Sequence, residues 1–137
     1  MPHVSKRRVD ADIFDSISAQ LSRVFKLANN RELIVSLIGE LFTKTEKVML
    51  AKRLAAILLL YRNVPQHVIC EKLRMSPSTI ARLSLDVEHG KYQSVFDVVK
   101  KDKNKILDIL IEILAESMPR PFSNRRSWLG SIYRNRR

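Results

Sequence analysis

The chain has 137 residues, 45% of them apolar, and sets 25 lysines and arginines against 14 acidic residues, for a formal charge of +11 and a pI near 10.2. That length suits one domain with tails, and the apolar share is that of a folded chain rather than a disordered one. The longest uncharged apolar run, Leu54 to Tyr61, is eight residues, far below the roughly 20 of a membrane span, and the single cysteine, Cys70, excludes an internal disulfide and any multi-cysteine zinc site.

Residues 1–12 form a basic N-terminal arm in which Asp10 and Asp12 stand where a secretory signal would need an apolar stretch, so a cytoplasmic protein is expected. Helical spacing begins with Ile13, Ile17, Leu21, Val24, Phe25 and Ala28, and Asn29-Asn30 breaks it. Arg31 to Phe42 reads as a second short amphipathic helix, with Leu33, Ile34, Leu37, Ile38 and Leu41 on one face. Thr43-Lys-Thr-Glu46 is then a capping box, in which the Thr43 hydroxyl accepts from the Glu46 amide while the Glu46 carboxylate accepts from the Thr43 amide. The helix it opens is predicted to run to about Arg62. Its second half, Leu54 to Tyr61, is apolar all round and belongs at the centre of the structure.

Asn63-Val64-Pro65 ends that helix, and the elements become short. Gln66 to Leu73 is predicted as two helical turns with Val68 or Ile69, and Leu73, facing inward. Ser76-Pro77 pairs a good N-cap with a proline at the first helical position. Ile80, Leu83 and Val87 line the inner face of the helix that follows, which Gly90 should stop. A last long helix is expected from Val95 to Met118, with four lysines early and a broad apolar arc late. Residues 13–118 are thus read as one all-α domain, followed by a basic tail, 119–137.

That tail carries six arginines and no acid, over half of the net charge. It interleaves them with Phe122, Trp128 and Tyr133, a composition suited to polyanions by counterion release and to base stacking. Arg120, Arg125, Arg126, Trp128, Arg134, Arg136 and Arg137 are its candidate nucleic-acid contacts. A tail that merely solubilises, or binds an acidic protein face, is the plainer alternative.

Two short helices joined by three residues, Arg74-Met75-Ser76, outline a helix-turn-helix over residues 65–88. In that motif the first helix crosses the phosphate backbone, and the N-terminal turn of the second enters the major groove. With Ile80 and Leu83 inward, Ser78, Thr79, Ala81 and Arg82 face out. Arg82 would fork onto guanine or clamp a phosphate, Ser78 or Thr79 would donate to phosphate or base, and Ala81 would meet a thymine methyl. Ser76 begins this surface, and Gln66, His67 and Lys72 are backbone-contact candidates. A generic helical hairpin shows the same outline.

Leu41-Phe-Thr-Lys-Thr-Glu-Lys-Val-Met-Leu-Ala-Lys-Arg53, Val68-Ile-Cys-Glu-Lys-Leu73 and Ser78-Thr79-Ile80-Ala81-Arg82 together resemble the Trp repressor superfamily over about residues 33–90, leaving the first helix and the tail outside. The resemblance implies an all-helical, intertwined homodimer that binds palindromic double-stranded DNA. The wide apolar arcs of the third and last helices fit a dimer independently, and a monomer folding back on itself is the alternative. Thr43, Arg53, Thr79 and Arg82 fall where the family's corepressor pocket lies, so Thr43, Arg53 and Arg82 form a candidate ligand pocket. At Leu83, however, the tryptophan-binding member has glycine, and a leucine fills the space an indole needs.

Nothing points to an enzyme, a metal site or a cofactor. His3, His67 and His89 have no metal spacing, and three glycines make no phosphate loop. Cys70 reads as a small, partly buried helix residue, and Met49, Met75 and Met118 as core filler. The expectation is a sequence-specific transcriptional regulator of repressor type that works without tryptophan. Its rivals are a nonspecific nucleic-acid protein driven by the tail, and a protein-docking module.

Overall fold

The computed structural model describes residues 7–103 and 105–116. Among them are seven helices and no strand: α1 (Ala11–Leu27), α2 (Arg31–Leu41), α3 (Lys44–Tyr61), α4 (Gln66–Leu73), α5 (Pro77–Glu88), α6 (Gln93–Lys101) and α7 (Lys105–Glu116). The chain divides into two compact units, Met1–Leu50 and Ala51–Arg137, with the boundary inside α3.

In the first unit the local signals decide the helix ends. Asp12 in the first turn and Lys26 in the last complement the dipole of α1. The expected break at Asn29-Asn30 has a definite chemistry: the Asn30 side chain caps α2 by accepting from the Leu33 amide at 2.8 Å. The capping box at Thr43 forms as its sequence requires. The Thr43 amide and hydroxyl both donate to Glu46 Oε2 at 2.8 Å, and the Glu46 amide donates back to Thr43 Oγ1 at 3.3 Å. These two donors, the backbone amide first, hold the Glu46 carboxyl below the ordinary range. No residue of α1 or α2 is buried.

The second unit holds the core. Ala56, Ile57, Leu58, Leu59 and Leu60 are buried on every side of α3, as their all-round apolar character predicts, although Leu54 at the start of that run is exposed. Around them close Val64, Ile69 of α4, Ile80 and Leu83 of α5, Phe96 and Val99 of α6, and Leu107 and Ile111 of α7. Tyr61 stacks on Phe96 with ring centroids 4.2 Å apart and planes at 19°. Arg62, nearly buried beyond the end of α3, pairs with Asp108 of α7 at 3.9 Å.

The single long helix expected from Val95 to Met118 is two helices. α6 ends at Lys101, Lys103 turns left-handed with φ 52, and α7 begins at Lys105. The cause is electrostatic as well as conformational. One continuous helix would set Lys100 against Lys103 and Lys101 against Lys105, three and four residues apart, and would force Asp102 and Asn104 into its interior. The break lets α6 and α7 pack on each other, each burying its own narrow stripe. Residues 117–118, which that expectation included, lie outside the described residues, as do residues 1–6 of the arm and the whole of the 119–137 tail.

Candidate nucleic-acid interface

The helix-turn-helix is built by local rules and held by few side chains. Asn63 in the left-handed region, φ 58, turns the chain out of α3, and the Val64 amide bonds back to the Leu59 carbonyl at 3.0 Å. Pro65 caps α4, and the carbonyl of Pro65 takes the amides of Val68 and Ile69. Of the two inward candidates on α4, Ile69 is fully buried and Val68 packs at the edge of the core. α4 closes on Cys70, whose carbonyl accepts from the amides of Arg74 and Met75. Cys70 is a free, half-buried thiol packed against the core, and Leu73 and Met75 lie beside it as core filler.

At the start of α5, Ser76 has extended backbone and Pro77 occupies the first turn, as their order predicts. The Ser76 hydroxyl accepts from the Thr79 amide at 3.3 Å and also lies 2.7 Å from Thr79 Oγ1 and 3.2 Å from Ser78 Oγ. Three hydroxyls therefore share one hydrogen-bond cluster at the exposed N-terminus of the helix. Ile80 and Leu83 are the two residues that α5 buries, and they fix its rotation. The opposite face presents Ser78, Ala81 and Arg82 to solvent, with Thr79 half-buried at its margin.

That face also contains Leu85, 55% exposed, which the sequence reading did not single out. Its spacing is the missing signal: Ser78, Ala81, Arg82 and Leu85 are three, four and seven residues apart, one stripe of an α-helix. Below the stripe, Asp86 accepts from Lys91 Nζ at 3.0 Å and from the Tyr92 hydroxyl at 3.4 Å. The Lys91 hydrogen bond is the main cause of a carboxyl pK below the ordinary range, and burial opposes it. The field of Arg82, one turn away, adds to the lowering. The stop expected at Gly90 is present, with φ 77 and its amide on the Val87 carbonyl.

Gln66 and His67 are exposed on the first turn of α4, and Lys72 is half-buried on its last. Thr43 belongs to the first unit and is engaged in its capping box, whereas Arg53 and Arg82 belong to the second and are exposed on α3 and α5. Leu83, the residue that departs from the tryptophan-binding pattern, is 5% exposed and part of the core. The tail candidates Arg120, Arg125, Arg126, Trp128, Arg134, Arg136 and Arg137 lie outside the described residues. Among the described residues, no helix is long and apolar enough to cross a membrane.

A family model described as Trp repressor protein matches residues 17–103, from the middle of α1 to the turn after α6. The match is wider than the resemblance over residues 33–90, and it takes in most of the first helix, which that resemblance had left outside. No curated protein and no solved structure matches the chain.

Proposed function

Because this chain belongs to the Trp repressor family, a family of helix-turn-helix DNA-binding regulators, we propose that it is a sequence-specific transcriptional repressor whose α5 enters the major groove. The observation that carries this reading is the exposed stripe Ser78, Ala81, Arg82 and Leu85 on a helix whose opposite face is locked into the core by Ile80 and Leu83. A helix held so rigidly by one face presents the other in a fixed orientation, which base readout needs. Arg82 supplies the fork for guanine or phosphate, Ala81 and Leu85 the apolar contacts for thymine methyls, and Ser76, Ser78 and Thr79 the hydroxyls at the groove wall. Gln66, His67 and Lys72 of α4 supply backbone contacts, and the arginine tail adds salt-sensitive, sequence-independent affinity.

The proposed working unit is a homodimer. Support comes from α1, where Ile13, Phe14, Ile17, Leu21, Val24 and Leu27 are all exposed although they form one apolar stripe, and from Ile106, Ile109 and Ile113 on α7. A second copy of the chain covers such faces in the proposed dimer, and two-fold symmetry then makes the operator a palindrome. Tryptophan is not its corepressor in this proposal, and the support is Leu83, which is buried in the core where the tryptophan-binding member of the family has glycine.

Selection of full-length protein on a random duplex library at about 150 mM salt, without added ligand, tests the whole reading. The expected result is an enriched palindrome that added tryptophan leaves unchanged, bound by a species of twice the chain mass in sedimentation. Duplex binding with no sequence preference would favour the tail-driven rival, and no salt-dependent binding at all would favour the protein-docking one.

A further inference from the structure

Arg74 sits at the one position of the helix-turn-helix where the backbone disfavours an L side chain. Its φ of 52 and ψ of 54 are left-handed, and this conformation lets the chain close α4 on Cys70 and turn towards Ser76. Glycine adopts it freely, which is why it is the commonest residue at the left-handed end of a helix, with asparagine next. The same chain follows that rule with Gly90 at φ 77 after α5 and Asn63 at φ 58 after α3, although Lys103 at φ 52 after α6 departs from it. At the elbow between the two DNA-binding helices it uses arginine instead.

The fold gains nothing visible from that choice. Arg74 is exposed, and among the described residues its guanidinium has no carboxylate or hydrogen-bond partner. In the sequence it stands between Lys72 and the Ser76, Ser78 and Thr79 hydroxyls, all on the helix-turn-helix. Backbone strain kept without an internal return is a mark of function. We infer that Arg74 is a phosphate clamp: its fork, carried on the left-handed elbow between α4 and α5 and engaged by no described residue, grips the DNA backbone beside the groove that α5 enters and sets the register of that helix.

This assignment rests on the DNA-binding reading, and the experiment separates the two. Full-length wild type, Arg74→Gly and Arg74→Lys are compared by thermal melting and by duplex binding over a salt series. Arg74→Gly should melt about 3 °C higher, because the strain is relieved. Its plot of log affinity against log salt should flatten by about 0.9 for each Arg74 engaged, which makes binding about fivefold weaker per contact at 150 mM salt. The loss should be equal on selected and random duplexes, and Arg74→Lys should restore the slope. An Arg74→Gly chain that binds with the wild-type slope and affinity would overturn the clamp while leaving the regulator intact. Failure of the wild type itself to bind any duplex would overturn both.

Discussion

Replacing Ile80 and Arg82 separately by alanine should pull folding and DNA binding apart, because the two residues lie two positions apart on α5 and on its opposite faces. Ile80 is 0% exposed, in the cluster formed by Leu58, Leu59 and Ile69. Truncation to alanine removes three carbons at about 0.8 kcal/mol each, roughly 2.4 kcal/mol of transfer free energy, and an incompletely closed cavity raises the total to about 2.5–4 kcal/mol. Against a stability of about 5–15 kcal/mol the variant stays folded, so its DNA affinity should change little once the folded fraction is accounted for. Arg82→Ala, at an exposed position, should change stability by no more than about 0.5 kcal/mol. Its binding should fall by about 1–3 kcal/mol on the selected site if the fork reads a base, or more weakly and uniformly with a flatter salt dependence if it holds phosphate. Urea titration followed by circular dichroism, and anisotropy titration of a labelled duplex, measure the two losses independently. The reasoning fails if Ile80→Ala costs less than about 1 kcal/mol, or if Arg82→Ala destabilises the fold by more than that, since either result would mean that α5 is rotated differently.

Ser76→Ala removes both the N-cap of α5 and the hub of its hydroxyl cluster, and should cost about 1 kcal/mol in thermal or urea unfolding, with Ser76→Asp restoring most of it. The Glu46 carboxyl, which titrates below its ordinary range in the folded state, contributes stability that is fully present above its unfolded pK and disappears as pH falls through the lower folded value. Glu46→Gln should therefore flatten the acid limb of the stability profile, and a carboxyl-carbon NMR titration should give Glu46 a midpoint below that of an unperturbed glutamate.

The parts of the fold legible in the sequence are those set by a side chain acting on backbone within four residues. Thr43 with Glu46, Asn30 before α2, Ser76-Pro77 and Gly90 all behave as their chemistry dictates, and the helix-turn-helix and its inward pair Ile80 and Leu83 follow from them. Two things were not legible. The left-handed turns at Arg74 and Lys103 carry residues that do not advertise that conformation, so the second of them hid the break between α6 and α7 inside a continuous apolar periodicity. Leu85 was hidden for the opposite reason. A leucine on an amphipathic helix reads as a core residue, yet the rotation fixed by Ile80 and Leu83 turns it to solvent beside Arg82.

The exposed apolar stripe of α1 has an energetic scale that bears on how the two recognition helices would be spaced. Full burial of a large apolar side chain is worth about 1.5–3 kcal/mol, so covering the exposed half of each contributes on the order of 1 kcal/mol. Ile13, Phe14, Ile17, Leu21, Val24 and Leu27 together then supply about 6 kcal/mol per chain, and twice that across a two-fold interface, which is comparable to the roughly 4–15 kcal/mol cost of bringing two molecules together. α1 by itself thus brings the proposed association near balance, and Ile106, Ile109 and Ile113 on α7 tip it further. In such a dimer the work is divided. The apolar faces that meet in it would set the half-site spacing, while Arg82, Ala81 and Leu85 would set the bases read within each half. A lesion in the first group should weaken binding to whole palindromes and spare isolated half-sites, whereas a lesion in the second should weaken both.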